Sequence, residues 1–320
     1  MVQENFIPVI DFSRFLDGSD TVNVAQELVD AFVNVGFVYL AGHGIPKEEI
    51  ERIYSLSKDF FDMTMEEKVK LAWKTPEANR GYVAPGRERV GMIGQDMKEL
   101  RVFPDIKESM EIGKEPCLKF QNNWPENNPE FRKYMMEFYD DCHRLNVKVM
   151  DAIGIGLGLK PGFFEKFIDA KENNLRLLHY PKVESKVLEN PNQSRIGAHT
   201  DYGTVTLLFQ DSVGGLQVKN TNGVFVPAPP IPGTIVVNAG DLLARWSNDK
   251  IKSTEHRVVS PPYSPIEGFY PARYSIAYFC NPNFDATIEC LQGTFDESIP
   301  CKYDPINSHE YLTMRLKETY

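Results

Sequence analysis

Apolar residues in the first half of the chain recur at helical spacing. Over Thr21–Asn34 they fall at Val24, Leu28, Ala31 and Phe32, with Val35 next, which is one stripe of an amphipathic helix. Gly36 follows, and glycine accepts the left-handed backbone that ends helices. Lys47–Phe61 predicts a second such helix. Residues 131–159 predict the longest, with Phe131, Met135, Phe138, Cys142, Leu145, Val149 and Ile153 as its buried stripe. Two short apolar strands, at 7–12 and 36–40, are interleaved with these helices, and 41–46 reads as a loop.

From residue 174 the period changes. Short strand-like runs appear at 175–180, 195–198, 204–209, 216–219, 224–227, 234–238, 256–259 and 273–279. Gly214-Gly215, Asn222-Gly223 and Pro232-Gly233 mark turns between them. Eight short strands after a helical half predict an α+β, mainly β fold: a double-sheet jelly roll with a helical region packed on it. Residues 1–170 form the mainly helical region, 171–320 the β-rich core, and 1–320 together one unit. Residues 75–128 fit neither period. Long loops of this kind are often lids or binding loops, and a surface excursion without a chemical role fits equally well. No internal repeat or low-complexity tract interrupts the pattern.

Composition narrows the function classes. The net charge of −10 argues against a nucleic-acid or anionic-membrane surface and favours a small-molecule substrate. Five scattered cysteines without a Cys-X-X-Cys pair suit free thiols in a reducing compartment. No signal peptide, membrane-length apolar run or peroxisomal tripeptide is visible, so cytoplasm is the expected location. Oligomeric state leaves no mark on the sequence.

The chemistry sits in the β-rich half. His199 and Asp201 stand two apart in a strand-like stretch, so both side chains point to one face and can grip one ion. His256, from a distant strand, would supply a third ligand. Two imidazoles and one carboxylate on one face of an octahedron leave three open positions, the arrangement of non-haem Fe(II) oxygenases. Arg273 and Ser275 again share a strand face, and a guanidinium fork beside a hydroxyl matches a carboxylate. Tyr180 would add a phenol to the same carboxylate. The other histidines read as structural: His43 in a Gly-His-Gly loop, His143 in a helix, and His309 in a polar tail. His179 has the opposite strand phase to Arg176 and Tyr180. Asp211 and Asp241 are explained by turn chemistry.

Gly36-Phe-Val-Tyr-Leu-Ala-Gly-His43-Gly-Ile-Pro, His199-Thr-Asp201, His256-Arg-Val-Val and Pro271-Ala-Arg273-Tyr-Ser275 resemble the Fe(II)/2-oxoglutarate dioxygenases related to isopenicillin N synthase. The likeness runs nearly the whole length. The blocks Thr75–Tyr82, Asn174–Pro181, Val237–Asp249 and Tyr274–Pro282 are similar to the thymine dioxygenase branch of that family in fungi. The resemblance implies a double-stranded β-helix that binds Fe(II) through His199, Asp201 and His256. It implies that Arg273, Ser275 and Tyr180 hold 2-oxoglutarate, whose oxidation by O2 to succinate and CO2 drives hydroxylation of a small molecule. Plant members often carry asparagine two residues before the tyrosine; Leu178 stands there in this chain.

The expected substrate is a free pyrimidine base, thymine first, oxidised at its methyl group as a step of pyrimidine metabolism. Phe279 shares the strand face of Arg273 and Ser275, and Tyr202 follows Asp201, so two rings are placed to flank a planar base. Arg176 would donate to a ring carbonyl, with Asn79 and Arg80 as lid contacts. The bland alternative makes the aromatics core residues and Arg176 an ion-pair partner. Three other functions fit the motifs: a 2-oxoglutarate dioxygenase acting on another small molecule, an iron oxidase that uses no 2-oxoglutarate, and a non-catalytic binding protein on the same scaffold.

Overall fold

Helix α2 (Thr21–Asn34) buries Val24, Leu28, Ala31 and Phe32, and α5 (Pro129–Gly156) buries its whole expected stripe, because each lies against the same large sheet. A computed structural model describes residues 6–88, 105–190 and 193–319. In chain order it has β1 (Val9–Asp11), α1 (Ser13–Leu16), α2, β2 (Phe37–Ala41), α3 (Lys47–Phe61) and α4 (Met65–Lys70). Then come β3 (Gly81–Val83), β4 (Glu108–Gly113), α5, α6 (Glu165–Ile168), β5 (Asn174–Tyr180), β6 (Val183–Glu184) and α7 (Ser185–Leu188). Next are β7 (Ile196–His199), β8 (Val205–Gln210), β9 (Leu216–Lys219), β10 (Phe225–Pro227), β11 (Thr234–Ala239) and α8 (Asp241–Trp246). The last elements are β12 (His256–Val258), β13 (Phe269–Tyr270), β14 (Arg273–Phe279), β15 (Thr287–Ile288), β16 (Ile306–Asn307) and α9 (Ser308–Thr319).

An eight-stranded sheet in the order β1-β2-β11-β8-β14-β5-β4-β3 faces a four-stranded sheet in the order β10-β9-β12-β7. This is the double-stranded β-helix expected from the strand pattern. Alternation sorts the side chains of the large sheet cleanly. Leu175, Leu177, Leu207, Phe209, Val237, Ile276 and Tyr278 point outward into the main core beneath the helices. Leu178, Tyr180, Val236 and Ala277 point inward, to a smaller core shared with Leu216, Val218 and Val258 of the second sheet. Functional side chains carried on the inward phase are thus aimed between the sheets.

Two features depart from the sequence reading. The stretch 75–128 supplies β3 and β4, which extend the large sheet beyond β5; its middle, 89–104, lies outside the described residues. Strand β4 escaped notice because Glu108, Ser109 and Glu111 are polar yet buried, so it lacks apolar alternation. Their partners lie across the sheet or nearby. Glu108 takes Lys68 at 2.9 Å, His179 at 2.7 Å and the Tyr82 hydroxyl, while Glu111 takes Arg176. The second departure is at the end: His309 lies on α9 rather than in a polar tail, with its ring 4.3 Å from that of Phe284. Charged residues interrupt the apolar positions of α9, which hid its period.

Candidate active site

The small sheet brings the two histidines together. His199 ends β7 and His256 begins β12, and the antiparallel register sets them directly opposite, with ring centroids 4.3 Å apart. Nδ1 of His199 lies 2.8 Å from the carbonyl oxygen of Gly197, and Nδ1 of His256 lies 3.2 Å from that of Thr254. A carbonyl only accepts, so each Nδ1 carries the proton and each Nε2 is left with its lone pair. Both Nε2 atoms face Oδ1 of Asp201, at 3.8 and 3.7 Å. The three donor atoms lie within 4.8 Å of one another.

The large sheet holds the carboxylate. Oδ2 of Asp201 accepts from Thr206 Oγ on β8 at 2.6 Å and from Asn238 Nδ2 on β11 at 2.8 Å. Thr206 and Asn238 are cross-strand neighbours on the inward face. Their bonds turn Oδ1 toward the imidazoles. Burial works to raise the Asp201 carboxyl, but His256, His199 and the two hydrogen bonds outweigh it and hold it below its ordinary value. His199 is pushed down to about 3, first by burial and then by His256. With each Nδ1 directed at a carbonyl, Nε2 of His199, Nε2 of His256 and Oδ1 of Asp201 converge on one point. That fits a divalent transition metal with open positions.

A second cluster lies on the same inward face. Arg273 is fully buried; Nη1 donates to Ser275 Oγ at 3.1 Å and Nη2 to Gln210 Oε1 at 3.2 Å. Its Cζ sits 4.8 Å from the ring centre of Tyr180, its cross-strand partner, and Nε has no hydrogen-bond partner. Burial pushes the Tyr180 phenol up, so it stays a proton donor near neutral pH. Burying a guanidinium without a carboxylate is unfavourable, and no described carboxylate forms an ion pair with Arg273. An acid group arriving from solution fits it.

A cleft of about 900 Å³, counted out to its mouth, runs from His199 and Asp201 to α9. Tyr202, Phe279, Arg176, Asn79 and Arg80 all line it. Arg176 lies over the Phe279 ring at 5.2 Å and is flanked by Glu88 at 3.0 Å and Glu111 at 2.7 Å. Asn79 has φ +44°; its Oδ1 accepts from Trp73 at 3.0 Å and its carbonyl from Asn174 at 3.0 Å. The Arg80 fork turns back onto the carbonyls of Ala78 and Asn79, at 2.9 and 3.0 Å, so it braces its own loop.

Sequence reasoning passed over Glu88, Lys107 and Glu111. Lys107 pairs with Glu88 in the cleft wall, and Glu111 stands opposite Arg176 in the β4–β5 register. The signal available was the polar alternation Lys107, Ser109, Glu111. Asp241 also exceeds its expected turn role. Its carboxylate accepts from Thr200 and Ser253, which flank the two histidine positions, as well as from α9.

Two family models match the chain: "non-haem dioxygenase in morphine synthesis N-terminal" over residues 7–127, and "2OG-Fe(II) oxygenase superfamily" over residues 171–282. The crystal structure of full-length thymine hydroxylase from Neurospora crassa, in complex with alpha-KG and thymine, superposes with a TM-score of 0.91 at 50% identity, over 100% of this chain and 99% of that one. A 2-oxoglutarate-Fe(II) type oxidoreductase, ppzD of Metarhizium rileyi, is 38% identical over 99% of this chain and 92% of its own. The proline hydroxylase buaE of Petromyces alliaceus is 35% identical over 97% and 98%. Both halves of the chain, its two-sheet core and its converging donors agree with these relatives: the chain belongs to the 2OG-Fe(II) oxygenase superfamily, whose members use Fe(II), 2-oxoglutarate and O2.

Proposed function

We propose that this dioxygenase hydroxylates the methyl group of thymine to 5-hydroxymethyluracil, with further oxidation of that carbon open to it. His199, Asp201 and His256 hold Fe(II). Arg273, Ser275 and Tyr180 hold the far carboxylate of 2-oxoglutarate through a charged fork, a hydroxyl and a phenol. When bound, the iron with 2-oxoglutarate and O2 supplies the oxidising power, yielding succinate and CO2 and one oxygen atom for an unactivated C–H bond. The chain's own residues position the target carbon and keep water from it.

The observation that carries the substrate reading is the cleft wall beside the donors. The rings of Tyr202 and Phe279 suit the two sides of a planar base, and Arg176 lines the same space. Glu88 and Glu111 neutralise that guanidinium, so its edge suits a neutral carbonyl better than a substrate carboxylate. This separates the reading from an amino-acid substrate such as proline, which the name of one relative prints. Likeness to a protein crystallised with thymine supports the same choice. Asn79 completes the rim, and Arg80 keeps that loop in place.

The test is product analysis with thymine, uracil, 5-methylcytosine and L-proline, each with Fe(II), 2-oxoglutarate and O2. Thymine should give 5-hydroxymethyluracil with one succinate per oxidation. Phe279→Ala should harm thymine turnover more than decarboxylation without substrate. If thymine neither binds nor stimulates succinate release, the pyrimidine assignment is wrong while the dioxygenase chemistry stands. A requirement for added 2-oxoglutarate separates this enzyme from an oxidase that dispenses with it.

A further inference from the structure

Asp241 joins three segments that are far apart in sequence. Oδ2 accepts from Thr200 Oγ, the residue between His199 and Asp201, at 3.1 Å. Oδ1 accepts from Ser253 Oγ, three residues before His256, at 2.6 Å. Oδ2 also accepts from Arg315 Nη1 and, at 3.3 Å, from the Tyr311 hydroxyl, both on α9. The backbone adds a fifth tie, since Asp241 N–H donates to the carbonyl of Asp201 at 2.8 Å.

The α9 side of this junction is equally well tied. Arg315 Nη1 reaches the Tyr311 oxygen at 2.8 Å, and Cζ lies 4.4 Å from the ring centre of Tyr202. The Tyr202 hydroxyl meets Thr319 Oγ at 2.5 Å. Asp241 and Arg315 are largely shielded, at 15% and 11% side-chain exposure, so solvent screens their attraction weakly. On its other face α9 roofs the cleft with His309, Leu312, Thr313, Leu316 and Thr319. One carboxylate thus connects the roof of the cleft to the segments bearing His199, Asp201 and His256.

We infer that Asp241 is a positioning residue: with Arg315 it couples the seating of α9 to the geometry of the metal-binding donors. A docked α9 fixes Thr200 and Ser253 through the shared carboxylate, and those residues fix the flanks of the two histidines. Coupling between two sites is reciprocal. If seating α9 tightens metal binding, metal binding must seat α9 by the same factor. A carboxylate that merely fills a turn has no such consequence.

The test uses the full chain and Mn(II) as the probe, so it is independent of the substrate. Mn(II) affinity is measured by electron paramagnetic resonance of the free ion, and amide hydrogen exchange is followed over 308–319 with and without saturating Mn(II). In the unaltered protein Mn(II) should slow exchange across α9 several-fold. Arg315→Met and Asp241→Asn should each weaken Mn(II) by about tenfold and abolish the response of α9 to the ion. Arg315→Lys, which keeps a cation within reach of the carboxylate, should recover part of both effects. Arg315 lies on α9, outside the two facing sheets, so its variants keep the test usable if Asp241→Asn folds poorly. The inference is overturned if α9 loosens while Mn(II) affinity stays within twofold, or if affinity falls while α9 still responds fully to Mn(II).

Discussion

Thr206→Val probes how the protein sets the carboxylate of its metal site. The substitution keeps shape and burial and removes one donor: the hydroxyl that reaches Oδ2 of Asp201 at 2.6 Å. Hydrogen bonds to charged groups contribute about 1.5–3 kcal/mol, and about 1.4 kcal/mol is tenfold in affinity. The bond exists without metal too, so only its orienting share enters the binding constant. Losses of groups that hold a metal ligand in place fall at about 10–100-fold, and the expected weakening of Mn(II) binding lies in that range. Asn238 still donates to the same oxygen at 2.8 Å, so the site should weaken rather than vanish. A matched control is at hand in Thr204→Val, whose equally buried hydroxyl donates at 3.0 Å to the carbonyl of Cys280 instead. The assay is Mn(II) titration at pH 7.5, with urea unfolding of the metal-free proteins alongside. Both variants should lose stability, Thr206→Val the more because its hydroxyl meets a charged group, and only Thr206→Val should lose affinity. Equal affinities, or equal losses in both, would refute the idea that Thr206 orients Asp201.

Arg273→Ala should raise the 2-oxoglutarate requirement by about tenfold to a thousandfold, as the loss of a charge-assisted contact implies, while Mn(II) affinity holds. Glu108→Ala strands the buried Lys68 ammonium and should destabilise the fold by about 3–5 kcal/mol in urea melts, with Glu108→Gln milder. Because His199 is held down at about 3, the folded metal-free protein binds fewer protons than the unfolded chain between that value and the ordinary histidine value of about 6.5. Stability in a chelator should therefore fall as pH drops from about 6.5 toward 3, and a flat urea midpoint from pH 7 to 5 would contradict the buried, neutral imidazole. Gly36→Ala should cost about 2–4 kcal/mol and weaken metal binding. At φ +79° its new methyl would lie 2.4 Å from Thr254 Oγ and 2.6 Å from the Lys252 carbonyl, on the segment that leads to His256.

Much of the site was legible because its chemistry obeys strand alternation. His199 with Asp201, and Arg273 with Ser275, read correctly from spacing two, and the helices α2, α3 and α5 read from apolar stripes that the large sheet buries. Elements stabilised by buried charge did not read at all. Strand β4 faces Arg176, His179 and Lys68 with carboxylates, and no apolar period announces such a strand. Asp241 looked like a turn residue because its local sequence is one; its four side-chain donors come from about 12 to 74 positions away. Arg176 is the ion-pair partner that the plainer reading expected, and it also lines the cleft where the substrate contact was expected.

The strand order of the large sheet has a consequence for how the chain is made. Strands from the first 113 residues occupy both of its flanks, β1 and β2 at one edge and β4 and β3 at the other. Val38 of β2 pairs with Val237 of β11, so at roughly 5–20 residues per second the ribosome needs about 10–40 s between making the two halves of that ladder. Throughout this interval the apolar run Phe37-Val-Tyr-Leu-Ala41 lacks the partner that later covers its edge. Its flank against β1, built from adjacent sequence, is the one pairing it can make early. A nascent chain halted before residue 234 should therefore bind a hydrophobic-segment chaperone through this run, and release it once β11 has cleared the exit tunnel.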